Sequence, residues 1–220
     1  MILNIEDLVK KVRVAIDEQL PADTDSEFSA RLDTEIRHAL FTACIQLCGE
    51  VPEHLLLPVT ISNADIKVRV TNSDGTGMVS LPKDYLRLVK FKLTSWKQGV
   101  RQLLNPASNE ARMQASPWTR GTPEKPRAML GETRNGYRML EYYTAGKNGN
   151  NEFDHSIECL CYVNAPVNGG DAFEVPLRGN CKPLIVYRAA GIVMEGKQNG
   201  DLADRFYKLS TSYPVEAMDE

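Results

Sequence analysis

The sequence predicts an α+β fold in which helices from the two ends of the chain form a small helical bundle and an antiparallel β module is inserted between them. Apolar residues recur at helical spacing near both ends, whereas from Leu55 onward they alternate with period two and turn residues become frequent. The absence of strand–helix–strand alternation argues against a parallel sheet. We expect residues 1–57 and 181–220 to form the bundle, residues 58–180 the β module, and residues 214–220 a flexible acidic tail.

The composition is that of an ordinary globular protein, and it limits the classes of function. The chain has 220 residues and a net charge of -3, so it lacks the broad basic surface of a protein that grips DNA phosphates. The opening residues, MILNIEDLVKKV, place charges inside their only apolar run, and no stretch of about 18 apolar residues occurs. We therefore expect no secretory signal, no membrane segment, and a reducing cytoplasmic setting for the five cysteines.

Four helices are predicted outside the β module. The first follows apolar positions through residues 5–20, and the second begins at the capping-box pair Thr24 and Glu27, whose side chains can each satisfy the other's free backbone N–H. The third, through residues 184–193, is apolar over a wide arc, which favours a place near the core. Asp201 is expected to cap the last helix.

Turn signals divide the middle of the chain into five to seven strands. The clearest is Asn135-Gly136, a hairpin turn between strands at 127–133 and 137–144, because both residues tolerate positive φ. Residues 66–70 alternate apolar and basic side chains ahead of a turn at 72–75. The other predicted elements are a hairpin tip at 97–99, a short helix at 107–114, an irregular proline-rich loop at 115–126 and a strand at 156–163.

The stretch GMVSLPKDYLRLVKFKL, residues 77–93, is predicted to be the structural centre of the β module. Pro82 interrupts an apolar run, and because proline cannot donate to a sheet ladder it belongs at a strand end or edge. The sequence therefore predicts a strand, a corner at Pro82 to Tyr85, and a second strand from Leu86, with Tyr85 packed in the corner. No acid, base or nucleophile converges there, which indicates a structural role.

The cysteines and histidines point to little chemistry. A four-thiolate zinc site is an alternative, but its ligand spacings are unusual and free cysteine is a common core residue. His155 lies near Cys159 in sequence without being held face to face with it, so a catalytic pair is not favoured. We predict no enzyme activity, no cofactor and no metal. The four candidate thiolates are Cys44, Cys48, Cys159 and Cys161.

Two tryptophans lie among basic residues in the central region, which allows two interpretations. Aromatic side chains interleaved with cations can bind single-stranded nucleic acid. Tryptophans on loops can instead be contact residues for a protein partner, and this is the interpretation that we favour. The predicted contact residues here are Trp96, Trp118 and Arg120, and the cations around them are Lys90, Lys92, Lys97, Arg101, Arg112, Lys125 and Arg127.

Two phrases and the order of the elements resemble the head–tail connector, or adaptor, proteins of tailed bacteriophages. LPKDYLRLVKF, residues 81–91, is similar to the "LPxDYLRL" corner of connector and tail-tube-adaptor proteins of podovirus-like phages. DRFYKLS, residues 204–210, looks like the final helix of the same group. Two N-terminal helices, an inserted β module and C-terminal helices with an extended tail extend the resemblance over nearly the whole chain, and neck-ring proteins of crAss-like phages are the most similar group.

The resemblance implies a structural virion protein without catalytic residues. It implies a homo-oligomeric ring of about twelve copies between the portal protein and a neighbouring neck or tail protein, assembled in the host cytoplasm and located at the virion neck. Double-stranded DNA would pass through the ring without sequence-specific contact. The tail residues Tyr213, Pro214 and Val215 are predicted to dock into a partner. A nucleic-acid-binding module and a tail-tube or tail-completion protein are the alternatives.

Overall fold

The computed structural model describes residues 1–17, 26–61, 68–70, 74–132 and 138–212, and it confirms the α+β class. The chain divides into two compact units. The first, which we call the helical unit, comprises Met1–Leu57 and Ala165–Glu220. The second, the β unit, comprises Pro58–Asn164. The β unit therefore ends earlier than the predicted module, which extended to residue 180.

Two long helices, a run of strands and two further helices follow one another as the sequence pattern indicates, but the short strands at 2–4, 167–168 and 172–174 were not predicted. The predicted capping box at Thr24 and Glu27 and the predicted hairpin turn at Asn135-Gly136 lie outside the residues, or the side chains, that the structure describes. In chain order the elements are β1 (Ile2–Asn4), α1 (Ile5–Asp17), α2 (Ser26–Glu50), β2 (Val59–Ile61), β3 (Val68–Val70), β4 (Gly77–Ser80), β5 (Tyr85–Leu93), α3 (Asn109–Met113), β6 (Arg127–Glu132), β7 (Arg138–Tyr143), β8 (Ile157–Asn164), β9 (Val167–Asn168), β10 (Ala172–Glu174), α4 (Lys182–Gly196) and α5 (Gly200–Ser212).

Helix α4 is the central element of the helical unit, and it contacts α1, α2 and α5. Its buried side chains cover a wide arc, as the sequence predicts. At Gly191 the helix passes so close to α5 that an added Cβ would lie 2.8 Å from the Tyr207 ring. Arg188 is the buried cation of α4, and its guanidinium donates two hydrogen bonds to the Glu50 carboxylate, at 2.6 and 3.1 Å, and one to Ser210 Oγ.

Helices α1 and α2 place their apolar stripes in the same core and join their polar faces through ion pairs. Arg13 on α1 pairs with Asp33 on α2 at 2.6 Å, and Glu6 on α1 pairs with Arg37 on α2. Part of the charged face of α2 therefore contacts α1 instead of being free for a partner. Such half-exposed pairs add about 0–1 kcal/mol each, so burial of the apolar stripes contributes most of the packing energy.

A small sheet explains why residues 165–180 belong to the helical unit. Strand β10 pairs with β1 on one side and with β9 on the other, all antiparallel, so that Leu3 lies opposite Phe173. Leu3 and Phe173 are both buried, and the Phe173 ring packs against Phe41 of α2. The pairing partner of this segment is thus the N-terminus of the chain, more than 160 residues earlier.

The β unit consists of two antiparallel sheets with strand orders β3-β4-β7-β6 and β2-β8-β5. Strands β4 and β5 lie in different sheets, so the corner at Pro82 to Tyr85 carries the chain from one sheet to the other. Both sheets contribute to one apolar core. The largest buried side chains of that core are Phe91, Trp96, Tyr142, Tyr162 and Tyr85.

Strand β5 buries every third residue over most of its length instead of every second. Tyr85, Leu88, Phe91 and Leu93 are buried. The pairing of β5 with β8 shifts register between Tyr85 and Arg87, between Leu88 and Lys90, and between Lys92 and Leu93. The first two shifts each add a residue to β5, which rotates its following side chains to the other face, and the third adds a residue to β8. The bulges thereby keep the apolar side chains of β5 on the core side.

No helix in the described ranges is both long enough and apolar enough to cross a lipid bilayer.

Candidate interaction surfaces

The corner at Pro82 to Tyr85 is held together by backbone and ring contacts. The Tyr85 N–H donates to the Pro82 carbonyl at 3.1 Å, and Arg138 Nη1 donates to the Tyr85 carbonyl at 3.1 Å. The Tyr85 ring is buried and stacks on Tyr162, with ring centroids 5.9 Å apart. The Tyr162 hydroxyl donates to Asp84 Oδ1 at 3.4 Å. Pro82, Asp84 and Tyr85 therefore fix the chain where it changes sheet.

Trp96 is a core residue, so its predicted role at a partner surface is wrong. Only 2% of Trp96 is exposed, and its indole N–H donates to the Thr144 carbonyl at 2.9 Å. Its ring lies edge-on to Phe91 and to Tyr142, with centroids 5.3 and 5.9 Å away. Its only polar atom is satisfied inside the β unit, which leaves nothing for a partner to contact on the folded surface.

Trp118 is the most exposed large apolar side chain among the described residues, at 95%. It follows α3 in a run of turns that Ser116 stabilises, since the Ser116 carbonyl accepts from the N–H groups of Thr119 and Arg120. Met113, at the end of α3, is also half exposed. The contact role predicted for Trp118 stays a prediction, and its exposure is what such a role requires.

Arg120 points inward, which contradicts its prediction as a contact residue. Its side chain is 9% exposed, and Nη1 pairs with Asp74 Oδ2 at 2.9 Å. Burial raises the pKa of Asp74, but hydrogen bonds from Arg120 and Thr76 outweigh it and hold the pKa below its ordinary value. The pair ties the loop after α3 to the turn before β4, so Arg120 has a structural role.

The predicted docking residues Tyr213, Pro214 and Val215, and the whole acidic segment 214–220, lie outside the described residues. Their docking role stays a prediction.

A polar cluster that sequence reasoning did not identify lies at the edge of the β-unit core. The Tyr142 hydroxyl and His155 Nδ1 are 2.6 Å apart. The Asp154 carboxylate accepts from the Thr94 hydroxyl at 2.7 Å and from the Ser156 N–H at 2.9 Å. A Cβ at Gly77 would lie 2.3 Å from the Tyr142 hydroxyl, so glycine is needed beside it. The cluster joins the segment 154–156 to Tyr142 of β7 and to Thr94 at the end of β5.

We expect His155 to make folding stability fall with acidity. Burial lowers the pKa of His155 despite the opposing effect of Asp154, so below an ordinary pKa of about 6.5 the unfolded chain binds the proton more readily than the folded chain. Stability contributed by the neutral ring is therefore complete above that pH and lost as the pH falls. The difference in unfolding free energy between the unsubstituted protein and H155Q, measured in urea, should shrink from pH 7.5 to pH 5. A difference independent of pH would contradict this assignment.

Cys44, Cys48 and Cys181 are buried, as the core interpretation expects, whereas Cys159 and Cys161 are partly exposed. Burial raises the pKa of Cys44 and of Cys48 to about 12, so both remain protonated thiols at neutral pH. Cys159 and Cys161 lie in the β unit, on β8, and burial raises the pKa of Cys159 as well. In the described part of the chain, no group of three or more cysteine, histidine or acidic side chains could hold a metal ion. His155, which was considered as a partner of Cys159, contacts Tyr142.

The helical unit has an open groove of about 670 Å³ lined by α1, α4 and α5. We call it the α1–α4–α5 groove. Val14 of α1 is 67% exposed there, on a face of the helix away from its apolar stripe. The Tyr187 ring stacks on Phe206, with centroids 6.4 Å apart. The apolar side chains lining the groove include Val14, Val186, Tyr187, Leu202, Phe206 and Leu209.

The rim of this groove is basic. Lys10 and Lys11 lie on α1, Lys182 begins α4, and Arg205 lies on α5. The sequence hypothesis did not predict the groove, because each helix taken alone shows only ordinary solvated cations. The one local signal is Val14, an apolar residue off the apolar stripe of α1. An apolar floor with four surrounding cations suits an acidic segment that also carries apolar side chains.

No family model matches the chain, and no curated protein matches its sequence.

Proposed function

We propose that the protein is a structural subunit of a tailed-bacteriophage neck. About twelve copies form a closed ring between the portal protein and the next neck or tail protein. The ring completes the channel through which double-stranded DNA passes without sequence-specific contact. Assembly takes place in the host cytoplasm, and the mature ring is located at the virion neck.

The observation that carries this proposal is the division of the chain into two units. The two ends of the chain form the helical unit, and the β unit is inserted between them. Two helices precede the insertion and two follow it. This is the element order of the connector proteins that the sequence resembles. The division requires the two ends of the chain to fold together, which is a specific topology and not a consequence of composition.

The positions of the motif residues support the same proposal. Within LPKDYLRLVKF the apolar residues Leu81, Tyr85, Leu88 and Phe91 are buried in the β-unit core. The similarity to the connector corner therefore rests on side chains that determine the architecture. A net charge of -3 also suits a channel protein past which DNA slides without sticking.

The nucleic-acid-binding alternative is less well supported by the same residues. It relied on Trp96, Trp118 and nearby cations for stacking and charge. Trp96 is buried and Arg120 is paired with Asp74, which leaves Trp118 as the only one of the three with a free face. A tail-tube or tail-completion protein has no observation of its own in its favour, and the experiment below separates it from a neck ring.

The test is affinity capture of the full-length protein from its native lysate, with mass spectrometry and electron microscopy of the eluate. We expect portal and tail proteins together with ring-shaped particles. Recovery of tail-tube proteins without portal would favour the tail alternative. Recovery of nucleic acid, or of a metabolic enzyme, would overturn the proposal.

Deletion of residues 214–220 is expected to weaken partner docking without unfolding the protein. Every core side chain that the structure describes in the helical unit precedes residue 212, so we expect the melting temperature to change by less than about 2 °C. Capture of neck partners should fall by at least about tenfold, a loss of about 1.4 kcal/mol. The full-length chain captured in parallel is the control. Equal capture by both chains would show that the segment does not dock.

A further inference from the structure

Tyr213 and the acidic segment 214–220 that follows it are chemically complementary to the α1–α4–α5 groove. Residues 213–220, YPVEAMDE, carry three acidic side chains and no basic one. Val215 and Met218 are apolar and can fill an apolar floor while acidic neighbours reach a basic rim. We propose that the groove binds residues 213–220 of a neighbouring copy of this chain. The inference rests on the proposed function in one respect, since such a contact would join the subunits of the ring.

The charges around the groove leave specific cations for the segment. Lys11 pairs with Asp7 at 3.1 Å. Arg205 also lines a smaller cavity, of about 340 Å³, together with Asp201 and Asp204, so acidic side chains of α5 already lie near it. Within the ranges that the structure describes, neither Lys10 nor Lys182 forms an ion pair. These two lysines are therefore the rim cations that we assign to the acidic segment.

The length of the segment suits a contact between copies. Eight extended residues span at most about 28 Å. Helix α5 lines the groove from Leu202 to Leu209, a distance of about 10 Å at 1.5 Å per residue. The segment is thus more than long enough to cover the groove, which leaves some of its residues to reach the groove from another copy.

A neighbouring copy, and not the chain's own segment, is the occupant that the proposed ring favours, because a closed ring needs a contact between two different surfaces of successive copies. Helix α5 is itself a wall of the groove and ends at Ser212, one residue before the segment begins. Mixing labelled with unlabelled chains distinguishes the two occupants.

Such a contact joins two different surfaces of the same chain. A groove on one copy and a segment on the next make a head-to-tail interface, which produces a closed ring when the rotation between copies divides a full turn. An incomplete assembly then has an unfilled groove on the copy at one end and an unbound segment on the copy at the other end. The groove therefore supplies a specific interface for the ring.

The experiment places a photoreactive benzophenone amino acid at Met218 in the full-length chain. Copies with this group, labelled with ¹⁵N, are mixed with unlabelled chains, irradiated and analysed by mass spectrometry. We expect cross-links between labelled segment peptides and unlabelled peptides from residues 10–15 and 182–187. The double variant K10E/K182E should reduce their yield by about tenfold, because two attractive rim contacts become repulsive.

Matched variants separate a specific contact from a change in net charge. K83E/K125E alters two exposed lysines of the β unit and changes the net charge by the same amount, so it should leave the yield unchanged. Adding E216K/D219K to the K10E/K182E chain should restore cross-linking. Far-UV circular dichroism of each variant establishes that it is folded.

Each other result overturns the proposal in a recognisable way. Cross-links to the groove that never join labelled to unlabelled chains mean that each chain fills its own groove. Cross-links outside the groove, or a yield that K10E/K182E leaves unchanged, mean that another surface binds the segment. The neck proposal can fail separately. If groove cross-links form between copies but no portal protein is captured, the interface is retained and the location in the virion neck is rejected.

Discussion

Replacing Trp96 with alanine is expected to lower the free energy of unfolding of the β unit by about 3–5 kcal/mol. The indole is almost fully buried, lies edge-on to Phe91 and Tyr142, and satisfies the Thr144 carbonyl. Alanine would remove these contacts and leave a cavity that the two sheets can fill only in part. Urea unfolding followed by far-UV circular dichroism measures the effect without depending on tryptophan fluorescence.

Trp118→Ala is the matched control for this prediction. The chain has two tryptophans, both in the β unit, and Trp118 is 95% exposed. Its removal should change the unfolding free energy by no more than about 0.5 kcal/mol. Equal losses from the two substitutions would contradict the assignment of Trp96 to the core. A loss of partner capture by W118A alone would support the contact role predicted for Trp118.

The contrast between the two tryptophans shows what local sequence cannot determine. Both lie in segments rich in turns and basic residues, and local sequence gives them the same interpretation. Their exposure differs because of contacts from distant parts of the chain. Thr144 and Tyr142 lie more than 45 residues after Trp96 and contact its ring system, whereas no segment that the structure describes covers Trp118.

The helices were predictable, because an amphipathic helix shows its buried face in the 3.6-residue period of its own sequence. Strand partners were not. Period-two alternation indicates a strand without naming its neighbour, so the pairing of β10 with β1 moved residues 165–180 out of the predicted β module. The α1–α4–α5 groove could not be predicted for the same reason, since the residues that line it run from Lys10 to Leu209 and come from three separate helices.

The corner was predictable because its signal is local. Proline within an apolar run ends a strand, and a large aromatic residue three positions later needs a place to be buried. What the sequence could not show is that β4 and β5 belong to different sheets. It also could not show the bulges that bury Tyr85, Leu88 and Phe91 at intervals of three.

Tyr85→Ala is expected to destabilise the β unit by about 3 kcal/mol or more. The ring is buried at the point where the chain changes sheet and stacks on Tyr162 of β8. Its loss should therefore loosen the junction of the two sheets as well as leave a cavity. Tryptophan fluorescence is a suitable measurement here, because both tryptophans lie in the β unit and only Trp96 is buried.

Tyr85→Phe separates the ring from the hydroxyl in this prediction. Phenylalanine keeps the stacking on Tyr162 and the buried volume, so the loss should be about 1 kcal/mol or less. If Y85F is as unstable as Y85A, the hydroxyl and not the ring holds the corner. If Y85A melts like the unsubstituted protein, the corner does not organise the β unit, and the resemblance based on LPKDYLRLVKF loses its structural meaning. A large loss in Y85A with a small one in Y85F would establish that this motif encodes the junction between the sheets.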